Sequence, residues 1–133
     1  MNKEIFGVFG DRDTFAQFRS KREFDDIVES DVATVGIRDT GLGIPSRSAS
    51  YSSEEGNCIV WGEAYPNKSG WSEPARWLLE RYAEDGVDAI RDLNGSYLAF
   101  IEHNGEAIVL TDPIRSWECF YTDDPGVRVF GSD

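Results

Sequence analysis

Ser96-Tyr97-Leu98-Ala99-Phe100-Ile101-Glu102-His103-Asn104-Gly105-Glu106-Ala107-Ile108-Val109-Leu110-Thr111 is the stretch that decides the fold. Asn104-Gly105 is a strong signal for a two-residue hairpin turn, so Ser96 to Glu102 and Glu106 to Thr111 are predicted antiparallel strands. A sheet with one wet face alternates polar and apolar residues. These strands do not alternate, and neither do Ile5-Phe6-Gly7-Val8-Phe9 and Cys58-Ile59-Val60-Trp61. Strands apolar on both faces must be covered above and below. With hairpins in place of crossover helices, the sheets should be mostly antiparallel. Two sheets face to face, with helices outside, meet both demands. The expected fold class is α+β.

Working outward, the clearest helix runs from Glu73 to Asp85. Ser72 is its expected cap, and Pro74 is tolerated in a first turn. Ala75, Leu78, Leu79 and Tyr82 make one apolar face, and Gly86 ends it. A short helical turn, Val87 to Leu93, leads to Asn94-Gly95. Upstream, the expected order is a strand from Glu4 to Phe9 and a helix from Thr14 to Ser30, then a strand from Val32 to Ile37. Phe15, Phe18, Phe24, Ile27 and Val28 are that helix's apolar set, with imperfect spacing around Lys21 and Arg22 that leaves room for a break. Residues 39–57 read as loop with one short strand, followed by a strand from Cys58 to Glu63. Strands at Glu118 to Thr122 and Val127 to Phe130 finish the chain.

The 133 residues suit one compact domain, and eight Phe, five Tyr and four Trp make a globular composition. Asp plus Glu number 25 against 13 Lys plus Arg, a net charge of -12. Such a chain is repelled by phosphate backbones, so neither nucleic acid nor an anionic membrane is an expected partner. Only Lys3, Lys21 and Lys68 are lysines. A lysine-poor, acidic surface resembles the proteins of salt-loving organisms, where concentrated salt screens carboxylate repulsion; it also fits an ordinary acidic protein. Two cysteines, Cys58 and Cys119, make no disulfide framework. No signal-peptide pattern and no spanning apolar run is present, so a cytoplasmic protein is expected.

Five segments, taken in order, resemble the class II glutamine amidotransferase domain at the N-terminus of asparagine synthetases. Ile5-Phe6-Gly7-Val8-Phe9 is similar to that family's first strand. Gly62-Glu63-Ala64-Tyr65-Pro66-Asn67 resembles its NGEIYN segment, and Leu93-Asn94-Gly95-Ser96-Tyr97-Leu98-Ala99-Phe100 its LxGxFAFA segment. Thr111-Asp112-Pro113-Ile114 with Cys119-Phe120-Tyr121 looks like RDxLGxxPLYY, and Val129-Phe130-Gly131-Ser132-Asp133 fits the FASE strand. The resemblance implies an N-terminal-nucleophile fold, a four-layer α/β/β/α sandwich, over residues 1–133. The chain stops where the family's sheet would continue. Either a fragment with an incomplete C-terminus or a stand-alone relative is expected; if the C-terminus is incomplete, an exposed sheet edge and pairing with a second copy follow.

In that family a cysteine behind the initiator methionine attacks the glutamine amide, with the freed α-amine as base. Its position falls on Lys3, beside Asn2, and neither has a thiol or hydroxyl. The oxyanion Asn-Gly pair falls on Trp61-Gly62, which keeps the glycine and loses the amide. The acid that holds the substrate amine falls on Pro74, with Glu73 at the neighbouring serine position. Arg38 matches the carboxylate-binding arginine and Glu63 the family's glutamate. The Arg-His-Arg-Gly-Pro-Asp loop has no counterpart between Ser30 and Val35. The implied catalytic set is therefore empty, and the substrate pocket (Arg38, Trp61, Gly62, Glu63, Pro74) is degenerate.

Other chemistries have little to stand on. Cys58 and Cys119 lie in apolar strands, where a thiol acts as a small apolar group. The sole histidine, His103, flanks a turn and is expected to be exposed and inert. Asp123-Asp124 and Asp11-Arg12-Asp13 lack the spacing of a calcium loop and read as solvated surface. There is no Gly-rich phosphate loop, and the Ser-Gly-Gly motif of the synthetase portion is missing. No metal or cofactor is expected. Three functions stay open: a structural or regulatory glutaminase-like domain serving a synthetase domain or subunit, an active amidotransferase domain of a glutamine-dependent asparagine synthetase, or a small-ligand module in which Lys3 and Arg38 bind a carboxylate and Trp61 stacks.

Overall fold

The computed structural model describes residues 4–38, 49–66, 73–112, 119–122 and 128–132. The fold is α+β, with two antiparallel sheets and short helices. The chain gathers into two compact units. Arg47–Trp117 forms one, and Met1–Ser46 with Glu118–Asp133 forms the other.

The continuous unit is a run of neighbours in sequence. Strands β4 (Ala49–Ser53), β5 (Gly56–Pro66), β6 (Leu93–His103) and β7 (Glu106–Thr111) lie side by side in that order. The turn between β6 and β7 has φ 54° at Asn104 and 77° at Gly105, as a two-residue hairpin of the I′ kind requires. Helix α2 (Pro74–Asp85) and a 3-10 helix (Gly86–Asp92) connect β5 to β6. Ala75, Leu78 and Leu79 of α2 pack into a core with Cys58 and Val60 of β5 and Tyr97, Ala99 and Ile101 of β6. The intervening residues Ile59, Leu98 and Phe100 are fully buried as well. Both faces of β5 from Cys58 to Trp61 and of β6 from Tyr97 to Ile101 are therefore out of water, as those unbroken apolar runs demanded. β7 is mostly half-buried, which suits a strand at the edge of the sheet.

Three local expectations shift here. The N-cap of α2 is Glu73, whose side chain makes no capping bond, and Pro74 follows at the first position; Ser72 lies outside the described residues. Asn94-Gly95 belongs to β6, because the ladder with β5 continues through Gly95↔Ala64 to Leu93↔Pro66. His103 is half-buried. Its ring stands edge-on to Tyr82 at 6.0 Å, and Nδ1 donates to the Glu55 carbonyl at 2.8 Å.

The discontinuous unit holds β1 (Glu4–Val8), β2 (Asp26–Glu29), β3 (Thr34–Arg38), β8 (Phe120–Tyr121) and β9 (Val129–Gly131), in the order β2-β3-β1-β9-β8. The expected helix from Thr14 to Ser30 is not formed. Helix α1 spans Arg12–Ala16, Lys21–Glu23 is a 3-10 turn, and Asp26–Glu29 is a strand paired with β3. The reason is chemical. Asp11 caps α1 by accepting from the Thr14 amide. Ser20 then opens a second N-terminus: its hydroxyl accepts from the Arg22 amide, and Glu23 reaches back to the Ser20 amide, a capping box in the middle of the supposed helix. Past it, β-branched Ile27 and Val28 suit a strand. Phe15 and Phe24 pack with Phe6 of β1. Phe24 covers Gly36 so closely that a Cβ there would sit 2.6 Å from its ring. Phe18, which the helical pattern assigned to the core, is exposed. Ser20→Ala should cost about 1 kcal/mol by removing the cap, read as a small fall in the thermal midpoint; no change would mean the capping box does not set the break.

Among the described residues no helix is long and apolar enough to cross a membrane.

Candidate functional site

Trp61, Gly62 and Glu63 are consecutive in β5, opposite Leu98, Tyr97 and Ser96 of β6. Alternation along a strand sends neighbours to opposite faces. Cys58 and Val60 face α2, so Trp61, like Ile59, belongs to the other face. Pro74 starts α2 on the side of Val60. Trp61 and Pro74 are thus not brought together within this unit. The Trp61 indole is 2% exposed, so it is part of the protein interior and not a ring offered to solvent. The Glu63 side chain and Lys3 lie outside the described residues.

Gly62 is held in place by its partner strand. Its φ is +108°, and a Cβ would meet the Ser96 carbonyl oxygen at 2.5 Å and Tyr97 Cα at 3.2 Å. Only glycine accepts both the backbone angle and the close approach.

Tyr97 anchors the same region. Its hydroxyl donates to the Leu93 carbonyl at 3.0 Å, and its amide donates to Asp112 Oδ2 at 3.0 Å. The Asp112 amide returns a bond to the Tyr97 carbonyl at 3.2 Å. Asp112, itself buried, uses its carboxylate to carry the β6–β7 ladder one rung further. Burial first, and the neighbouring Asp112 charge second, push the Tyr97 phenol well above its ordinary range. Sequence reading placed Asp112 in a family-like segment but missed this role; a lone acid directly after an apolar strand was the available signal.

Arg38, in the other unit, ends β3 opposite Glu4 of β1. Glu4 is only 5% exposed. Arg19 clamps it with two bonds, Nη1 to Oε2 at 2.8 Å and Nη2 to Oε1 at 3.0 Å, and Arg38 Nη2 adds a third to Oε1 at 3.0 Å. The second Arg38 terminal nitrogen leans on the Glu23 carbonyl at 3.4 Å. Arg19 also bonds Glu23 and lies over the rings of Phe6 and Phe24 at 5.2 and 5.0 Å. The Arg19 bond, more than any other cause, holds the Glu4 carboxyl below its ordinary value. Arg38, the expected substrate-carboxylate ligand, is thus occupied by a carboxylate of its own chain. Glu4 and Arg19 were not singled out in the sequence. A charged residue opening an otherwise apolar strand was the sign.

Neither cysteine is poised for attack. Cys58 is fully buried, and burial drives its thiol far above the ordinary range. Cys119 is half-buried, and burial raises it too, against a weaker opposing bond with the Gly131 backbone. The thiolate is the nucleophile, so a thiol reagent should leave Cys58 unmodified in the folded chain and label Cys119 slowly. Mass mapping of the labelled protein checks this, and rapid labelling of Cys58 would contradict its burial.

A cleft of about 360 Å³ is lined by Asp11, Arg12, Asp13, Glu29, Ser30 and Asp31. The Asp11 carboxylate is committed to the Thr14 amide and hydroxyl, both at 3.0 Å. Among the described residues no group of three or more His, Cys, Asp or Glu side chains is arranged to hold a metal ion. No protein-family model matches the chain, and neither a curated protein nor a solved structure matches it.

Proposed function

We propose that this chain is a glutaminase-like domain of the asparagine-synthetase type that has lost its chemistry and serves as a structural or regulatory partner of a synthetase domain or subunit. In this reading the fold is the four-layer α/β/β/α sandwich that the family resemblance implies. One observation carries the loss of activity. Where an oxyanion amide would stand, the chain has Trp61, whose ring is buried at 2% exposure, beside a glycine whose geometry admits no other residue. An indole in that place fills space and leaves no amide side chain to meet a developing oxyanion. The nucleophile position, Lys3, carries an amine where a thiol or hydroxyl is needed. Pro74 has no charge with which to hold a substrate amine. Arg38 spends its terminal nitrogens on Glu4 and Glu23, which also weighs against a free carboxylate-binding pocket.

The test uses the purified chain in molar potassium chloride, the medium its charge favours. It is exposed to a glutamine-like electrophile and read by intact mass, with ammonia release from glutamine assayed in parallel. The expected result is an unchanged mass, no ammonia above buffer, and no glutamine-induced rise in the thermal midpoint. A single covalent adduct with ammonia release would overturn the proposal. A midpoint that climbs with glutamine, without ammonia, would favour the small-ligand module instead.

A further inference from the structure

We draw no further inference here: the strongest candidate, the exposed aromatic pair Phe120 and Tyr121 on the outer strand β8 of the five-stranded sheet, carries none because nothing in the structure shows what covers it.

Discussion

Gly62→Ala is expected to lower the stability of the chain by about 2–6 kcal/mol, from roughly 1–3 kcal/mol of backbone strain and roughly 1–3 kcal/mol of forced packing. The atom that the new methyl would strike is a carbonyl oxygen of β6, 2.5 Å away. A flexible side chain could swing aside, but a backbone oxygen in a ladder of eleven paired residues on each strand cannot. The loss should appear as a lower urea midpoint at unchanged slope. Gly86→Ala is the control. Gly86 also has positive φ, +66°, but nothing lies within 4 Å of its added Cβ. It should therefore lose only about 1 kcal/mol. If Gly62→Ala and Gly86→Ala cost the same, the close approach of β5 and β6 at this point is wrong. If Gly62→Ala costs nothing, the glycine is no witness to a constrained site. Because a typical domain has about 5–15 kcal/mol in hand, the larger value would unfold the protein only if its stability lies at the bottom of that range.

Glu4→Ala is the second large effect. It strips the carboxylate from two guanidiniums that gather around it. Removing one partner of a fully buried pair costs about 3–5 kcal/mol. Arg19 and Arg38 keep 25% and 31% of their side chains in water, so solvent softens the loss to about 2–4 kcal/mol. Arg38→Ala alone should cost less, because Arg19 retains its two bonds to Glu4. In a double-mutant cycle the pair should show coupling, since each change removes the same contact. Additive losses would mean that the Arg38–Glu4 bond contributes nothing.

The same cluster makes stability depend on pH. The folded Glu4 carboxyl titrates below its ordinary value of 4.5. The unfolded chain therefore binds the proton first as pH falls. The stabilisation is complete above the ordinary value and fades as pH drops through the depressed folded one. Wild-type stability should fall more steeply than that of Glu4→Gln across this acid window. Parallel pH profiles would rule out Glu4 as a source of the acid sensitivity.

What could be read in advance was mostly local. Asn104-Gly105 and the apolar runs beside it specify a hairpin without help from elsewhere. The face made by Ala75, Leu78 and Leu79 likewise needs only the period of a helix. The stretch from Thr14 to Ser30 misled because Phe15 and Phe18, then Phe24, Ile27 and Val28, fit helical spacing on paper. Its true division depends on partners far off in sequence: Gly36 makes room for Phe24, and β3 offers a ladder to Ile27 and Val28. The capping box at Ser20 and Glu23 was a visible sign of the break. The candidate site divides in the same way. Trp61 and Gly62 could be seen together because they are adjacent. The bond from Arg38 to Glu4 spans 34 positions, and only the register of β1 against β3 brings the two side chains opposite each other.

One pairing in the five-stranded sheet bears on how the protein is made. Ile5 and Ser132, 127 positions apart, exchange hydrogen bonds: the Ile5 amide donates to the serine hydroxyl, and the Ser132 amide donates to the Ile5 carbonyl. A ribosome adds about 5–20 residues per second. After emerging, β1 can pair with β3 early, but its other edge must wait roughly 6–25 seconds for the last strand at that rate. Through that interval the nascent chain shows an unpaired apolar strand edge, the kind of surface on which neighbouring chains aggregate. Its yield in a cell should therefore depend on how crowded translation is and on whether a chaperone shields that edge.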